Sequence, residues 1–375
     1  MDDAERTPLA PFNIFFLLLA HTVGIGGAAV YLAAGRLSHV AWVLAVVWSA
    51  LTIFSLSAGY HRLFSHRAYE AHPVLRAVLL LFGAASFQNS ALIWAADHRR
   101  HHQRVDSPLD PYNIKRGFWH AHVGWVLHKT PVAHEVWPAP DLERDRLVAW
   151  QHRYYPWIGM AMGLVLPTAI GWLLGDALGA FLLAGGLRLV FVYHVTFSIN
   201  SFAHTLGTQP YSDRSSARDN VLTALISMGE GYHNFHHTFP ADYRNGVRAH
   251  QFDPSKWTIR LLATVGLARN LKRTPGLVVL RARLRMDERR LDERTLPDRI
   301  RERARELRQT LDNKLAEWHT LLAHKETAEK GTDPAHLRRI REELRKLQRH
   351  AHELYRAWAL IAFGTPVRVP TRPRR

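Results

Sequence analysis

The sequence predicts an all-α integral membrane fold: four transmembrane helices in two hairpins, a helical cap on one membrane face, and a C-terminal helical hairpin. Three observations predict it. Apolar residues, 47% of the chain, gather into long stretches rather than spreading evenly. Polar blocks dense in His, Asp and Arg separate those stretches. The C-terminal part then becomes strongly charged, with apolar residues recurring every third or fourth position.

Residues 1–10 are polar and carry Asp2, Asp3 and Glu5, a poor start for a signal peptide. Residues 12–34 are long enough to cross a bilayer at about 20 residues per crossing. A second apolar stretch, 40–58, follows after Gly35, Arg36 and Ser38, so the two form a hairpin with both ends on one side. Residues 157–175 and 177–199 make a second hairpin, broken near Gly175 and Asp176. Four crossings put the polar blocks 60–72, 97–156 and 200–260 on one face. The apolar stretch 74–95 then cannot cross, because it would send 97–156 to the opposite side. It is expected to lie against the membrane or inside the polar domain. Arg62, Arg67, Arg99, Arg100 and Arg104 flank these blocks and place that face in the cytoplasm, with the protein in the inner or plasma membrane.

The expected domain boundary lies between 275 and 276, with a membrane domain before it and a charged amphipathic extension, 276–375, after it. In the extension, Ile300, Ala304, Leu307, Leu311, Leu315, Trp318 and Leu322 mark one amphipathic helix. Leu337, Ile340, Leu344, Leu347, Leu354 and Trp358 mark a second. Between them Gly331-Thr332-Asp333-Pro334 reads as a turn followed by an N-cap Asp and a Pro at the first helical position. The run Gly24-Ile25-Gly26-Gly27-Ala28-Ala29 fits a dinucleotide-binding pattern on paper, but it lies inside an apolar span with no strand before it.

Composition narrows the chemistry. The chain has no cysteine, which excludes disulfides, thiolate zinc sites, Cys-ligated iron–sulfur clusters and a cysteine nucleophile. It has 24 histidines, and neutral imidazole is the commonest protein metal ligand. The formal charge is +17, which beside long apolar spans suits anionic lipid or an acidic protein partner rather than nucleic acid.

Four histidine groups follow the spans. His61 and His66 close the second span at a spacing of five, which does not share one α-helical face and points to a pair straddling a helix end. His98, His101 and His102 have the i, i+3, i+4 spacing that does share a face. His233, His236 and His237 repeat that spacing, and Asn200 and His204 stand four apart at the end of the last span. A lone surface histidine pair is usually only solvated. Two H-x-x-H-H motifs, an H-x4-H and an N-x3-H on one membrane face make a metal pair the natural reading, with iron, zinc or copper suited to imidazole. Iron is favoured because O2 activation beside an apolar membrane gives such a site a use. His21, His39, His72, His120, His122, His128, His134, His152 and His194 lack paired spacing and read as polar contacts or surface residues. Of these His194 comes nearest to reading as a ligand, because it sits one face away from Asn200 on the same span.

These residues resemble the stearoyl-CoA-type (delta-9) branch of the membrane fatty acid desaturase family, over about 10–260. The likeness extends to Ser86-Phe87-Gln88-Asn89, Trp94, Asp110-Pro111, Arg116-Gly117-Phe118, His122-Val123-Gly124-Trp125 and Gly229-Glu230-Gly231-Tyr232-His233. The resemblance implies a cytosolic cap holding a di-iron site, with His61, His66, His98, His101, His102, His204, His233, His236 and His237 as ligands and Asn200 holding a metal-bound water. It implies a bent acyl tunnel whose bend matches Gln88, Trp94 and Thr196, and a polar mouth matching Asn89, Asp97 and Lys129. Ile53 and Ser49, about two and three turns before His61, are expected at the closed end of the tunnel. A family arginine at the mouth is Ala96 here and a second basic position is His128, so a strong phosphate contact is missing. The carrier is therefore left open between CoA, a lipid and acyl carrier protein.

The implied reaction is O2-dependent desaturation of a long saturated acyl chain, giving a cis double bond and water. Unactivated C–H bonds are not acidic, so the cofactor must carry that step and the protein must position the chain. Asp97, Glu230 and Asp219 are candidates to orient ligand rings. The electron donor is expected to be a separate ferredoxin, rubredoxin or cytochrome b5-like protein with its reductase. The rival readings are a membrane di-iron hydroxylase or alkane monooxygenase, and a non-redox zinc membrane protein.

Overall fold

The computed structural model describes residues 8–129, 137–328 and 333–364. Asp2, Asp3, Glu5, His134, Gly331 and Thr332 lie outside them. The chain divides into two compact units, one of Met1–Gln209 with Arg214–Arg273, the other of Pro210–Asp213 with Thr274–Arg375.

In the first unit four helices are long and apolar enough to cross a membrane: Pro11–Ala33, His39–Ser65, Arg146–Leu173 and Ala177–Thr205. The intervening apolar stretch forms a helix of only 12 residues, Pro73–Ala84, too short to span. Its neighbour Ala91–Arg104 starts on Ser90, whose hydroxyl accepts from the Ile93 amide, and it carries the second histidine motif. The hairpin turn before the fourth span is set by Asp176, which caps the Gly179 amide at 2.8 Å and accepts from the Tyr31 hydroxyl of the first span.

The spans are not uniform α-helices. Each contains a π-helical stretch with i→i+5 bonding: Thr22–Gly26, Ser55–Ser65, Ala161–Val165 and Ala180–Leu187. The longest, Ser55–Ser65, delivers the first histidine motif. Its last bond runs from the His66 amide to the His61 carbonyl at 3.1 Å. A five-residue spacing that misses the face of an α-helix is thus reconciled by local widening of the helix at its end.

Two polar features hold the spans together. Arg188, 1% exposed within the fourth span, donates to the carbonyls of Ala184, Ala85 and Gly163, supplying partners where no water is available. Trp48 of the second span donates to the Met162 carbonyl of the third at 2.8 Å. The first and fourth spans touch backbone to backbone at Gly24 and Gly186. A Cβ on Gly24 would stand 2.7 Å from the Gly186 carbonyl oxygen. The glycine-rich run at 24–29 therefore serves a helix crossing, as small residues do in membrane interfaces. Gly24→Ala is expected to cost about 1–3 kcal/mol by forcing the two backbones apart. Thermal unfolding of the detergent-solubilised variant would measure it, and an unchanged midpoint would contradict the crossing.

In the second unit Asp298–Ala328 and Pro334–Phe363 form the expected hairpin, and Asp333 caps the latter through the Ala335 amide. A third helix joins them. Gly276–Asp292 was masked in the sequence by its arginines, yet Leu277, Leu280 and Leu284 pack with Ala304, Leu311 and Trp358 in one core.

Candidate metal centre

The four histidine groups converge. His61, His66, His98, His102 and His236 form one cluster, and His101, His204, His233 and His237 form a second; within each cluster the candidate ligand atoms lie within 4.8 Å of one another. Each H-x-x-H-H motif is shared between the two. On Ala91–Arg104, His98 and His102 face the first cluster and His101 the second; on the short helix His233–Thr238, His236 faces the first and His233 and His237 the second. All nine are buried or half-buried.

The donor set fits metal ions. His101 Nδ1 lies 2.8 Å from the Asp110 carboxylate, and His204 Nδ1 lies 2.7 Å from the Ser216 hydroxyl, which itself donates to Asp106. Each Nδ1 therefore carries the ring proton, leaving Nε2 as a bare lone pair. Those Nε2 atoms meet other ring nitrogens: His101 to His237 at 3.3 Å and His204 to His233 at 3.1 Å. In the first cluster His61 and His236 meet at 2.9 Å, His66 and His98 at 2.9 Å, and His102 and His236 at 2.8 Å. Five or four imidazoles around one point cannot all satisfy one another as donors and acceptors. A cation at each point can take the converging lone pairs. Burial, reinforced by neighbouring rings, holds His66, His98, His102, His236 and His237 well below the usual imidazole range and His233 at about 3. They are neutral at pH 7, the form that ligates metal.

A buried ionic lattice fixes the first cluster. His61 Nδ1 lies 2.7 Å from Glu230 Oε2, off the ideal N–H direction. Glu230 also meets Arg62 at 3.0 Å and the Asn245 amide at 2.7 Å, and Arg62 meets Asp253 at 3.0 Å. Despite its burial, Glu230 is held well below the usual carboxylate range by His61 and Arg62. Gly229 enables this approach: its φ is +102°, and a Cβ there would stand 2.6 Å from the Asp253 carboxyl carbon. Arg99 joins the two histidine-bearing helices, donating to the Phe64 and Ser65 carbonyls from one side and to Asp141 on the other.

Of the three acids considered from sequence, only Glu230 reaches a ligand ring. Asp219 instead caps the His233–Thr238 helix through the Asn234 and Phe235 amides. Asp97 bonds to no ligand ring; burial raises its carboxyl to about 6 against the opposing charge of Arg100. Asp110 and Ser216 do hold rings and were missed. Asp110 lies beside Pro111 eight positions after His102, and nothing in the sequence pairs Ser216 with His204.

An apolar cavity borders both clusters. Ile53, Trp94, Thr196 and Asn200 line it together with His61, His98, His101 and His233. Trp94 stacks on His98 with ring centroids 5.1 Å apart, and Gln88 donates to the Thr196 hydroxyl at 3.0 Å. Ser49, Gln88, Asn89, Asp97 and Lys129 are not among its lining residues; Gln88 reaches it only through Thr196. Asn89 and Lys129 are exposed, and the Asn89 amide donates to the Tyr155 hydroxyl. Three histidines set aside on spacing form a row of their own: His21 meets His194, and His194 meets His122, each at 3.1 Å, with His122 ending on Ser201 at 2.9 Å.

The fatty acid desaturase family model matches residues 11–262. A Schizosaccharomyces pombe protein described as a probable acyl-CoA desaturase is 42% identical over 252 residues, 67% of this chain and 53% of that one. Acyl-CoA desaturase 1 of Saccharomyces cerevisiae is 40% identical over 255 residues, 68% of this chain and 50% of that one. Stearoyl-CoA desaturase 4 of Mus musculus is 36% identical over 274 residues, 72% of this chain and 77% of that one. The chain thus spans about half the length of the two yeast relatives it matches.

Proposed function

Because the chain belongs to the fatty acid desaturase family, an integral membrane metal-binding family here, we propose that it is an O2-dependent acyl-CoA desaturase that places a cis double bond at the delta-9 position of a long saturated chain. The observation that carries the reading is the pair of imidazole clusters, five and four, beside an apolar cavity. Two irons would be held by the nine histidines, with Asn200 placed to act through a water. When bound, they supply the O2 chemistry that removes hydrogen from two neighbouring methylenes.

The chain's own residues do the rest. Glu230, Asp110 and Ser216 fix the ligand rings, so the metals are held without rearrangement. Trp94 and Ile53 present an apolar wall that excludes water and limits where a methylene chain can lie. Thr196, held from behind by Gln88, sets a polar point on that wall, where the acyl chain bends. The exposed Arg67 and Arg104 support a cytoplasmic position for this face, by the positive-inside bias. Electrons come from a separate acidic carrier protein of ferredoxin, rubredoxin or cytochrome b5 type, suited to that basic face.

Gas chromatography of lipids from desaturase-deficient cells expressing the chain tests the reading. A delta-9 monounsaturated product is expected, and none from a His236→Ala control. An oxygen-containing product would show a hydroxylase instead. Ile53→Ala is expected to favour longer chains by about tenfold per added methylene in a competition assay, because one methylene is worth at least that order in an apolar pocket. An unchanged chain-length profile would remove Ile53 from the tunnel end.

A further inference from the structure

The second unit holds a cavity of about 640 Å³, within the size range of small-ligand sites. Its walls come from the helix Gly276–Asp292, the turn after it and the first turns of Asp298–Ala328, with Trp358 at its base. Six guanidinium groups line it: Arg285, Arg289, Arg294, Arg301, Arg305 and Arg308. Among the lining residues Glu288 and Asp292 oppose them.

Part of that charge is already answered. Arg308 pairs with Glu288 and Asp312, Arg289 pairs with Asp213, and Arg294 donates to the Ala362 carbonyl and lies over the Phe363 ring. Arg285, Arg301 and Arg305 make no ion pair among the described residues. Their guanidinium groups are exposed, but the backbones that carry them are held by the core of this unit. Leu280 and Leu284 pack against Ala304 and Trp358, and the Tyr355 hydroxyl donates to the buried Asp287. A rigid frame that gathers like charges in one concavity is prepared for an anion, since binding then costs little ordering.

We propose that this cavity binds a multiply charged phosphate, with Arg285, Arg301 and Arg305 as the principal contacts. The planar guanidinium fork matches phosphate oxygens two at a time. Against six arginines stand Glu288, Asp292 and the partners Asp312 and Asp213, so two positive charges remain in excess, which matches a phosphate monoester or polyphosphate better than a carboxylate, because each terminal phosphate brings nearly two negative charges at pH 7. Leu291 and Leu296 give the same cavity an apolar side, suited to the non-phosphate part of the ligand. The phosphate is either free in solution or carried by a lipid headgroup.

Calorimetric titration of the full chain in detergent separates these sources. Inorganic tripolyphosphate is the soluble probe, dioctanoyl phosphatidic acid the lipid probe, and dioctanoyl phosphatidylcholine the control. Binding of tripolyphosphate assigns a free phosphate; binding of phosphatidic acid alone assigns a headgroup. In either case the doubly substituted Arg301→Gln, Arg305→Gln protein is expected to bind about tenfold more weakly per arginine. Arg285→Gln, on the facing helix, gives an independent weakening. Metal content and unfolding midpoint should not change in these variants. The proposal fails if neither probe binds below about 1 mM. It also fails if phosphatidylcholine binds as well, or if Arg338→Gln with Arg345→Gln, outside the cavity, weakens binding equally.

Discussion

The His101→Ala protein is expected to retain about one metal per chain, and the His102→Ala protein about two, although these residues are neighbours on one helix. His101 belongs to the cluster of four imidazoles, so its loss leaves three; His102 belongs to the cluster of five, so its loss leaves four. Four nitrogen donors still hold a divalent ion, whereas three leave an open position and weaker binding. His101 also carries the contact to Asp110, so its removal leaves that buried carboxylate without its ring partner. Elemental analysis of the purified variants reads the difference. Equal metal loss from both would mean that the nine histidines do not divide as the structure divides them. Both variants should lose most activity, because the proposed chemistry uses both ions.

Glu230→Ala is expected to destabilise the first unit by about 3–5 kcal/mol, the range for breaking a buried ion pair and stranding its partner. Arg62, 1% exposed, would keep Asp253 but lose its nearest second carboxylate, while His61 would lose its anchor. Glu230→Gln, which keeps the shape, should lower metal affinity by about 10–100-fold with a smaller loss of stability. Denaturant titration and metal competition measure the two effects separately; a Gln variant with unaltered metal affinity would reduce Glu230 to a structural ion pair.

The two classes of buried group also respond differently to acid. The Glu230 carboxyl is depressed, so its stabilisation is complete above the unfolded value of about 4.3 and is lost only as pH falls toward its much lower folded value. The ligand imidazoles are depressed as well. Their contribution is complete above about 6.5 and falls below it, because the unfolded chain takes up protons that the folded chain refuses. The metal-free protein should therefore lose stability between pH 7 and 5 through its histidines, with Glu230→Gln leaving that slope unchanged.

Much of this was visible in the residues because it depends on local geometry. About twenty apolar residues are long enough to cross a bilayer wherever they occur, and i, i+3, i+4 imidazoles share a helical face whatever surrounds them. The four spans, the short fifth apolar helix and the H-x-x-H-H motifs follow from such rules. The third helix of the C-terminal unit escaped because Leu277, Leu280 and Leu284 are interleaved with arginines, and only packing shows which side is inside.

Read alone, the residues specify four histidine groups placed after the apolar stretches. What only the tertiary structure decided is how they divide, five and four, and which groups hold the rings: Glu230, 169 positions after His61, and Ser216, 12 after His204. The reason is physical. Helical periodicity fixes which side chains leave one helix together, but a metal point is defined by where several helices cross, and that crossing is set by packed contacts such as Gly24 on Gly186 and by buried charges seeking partners.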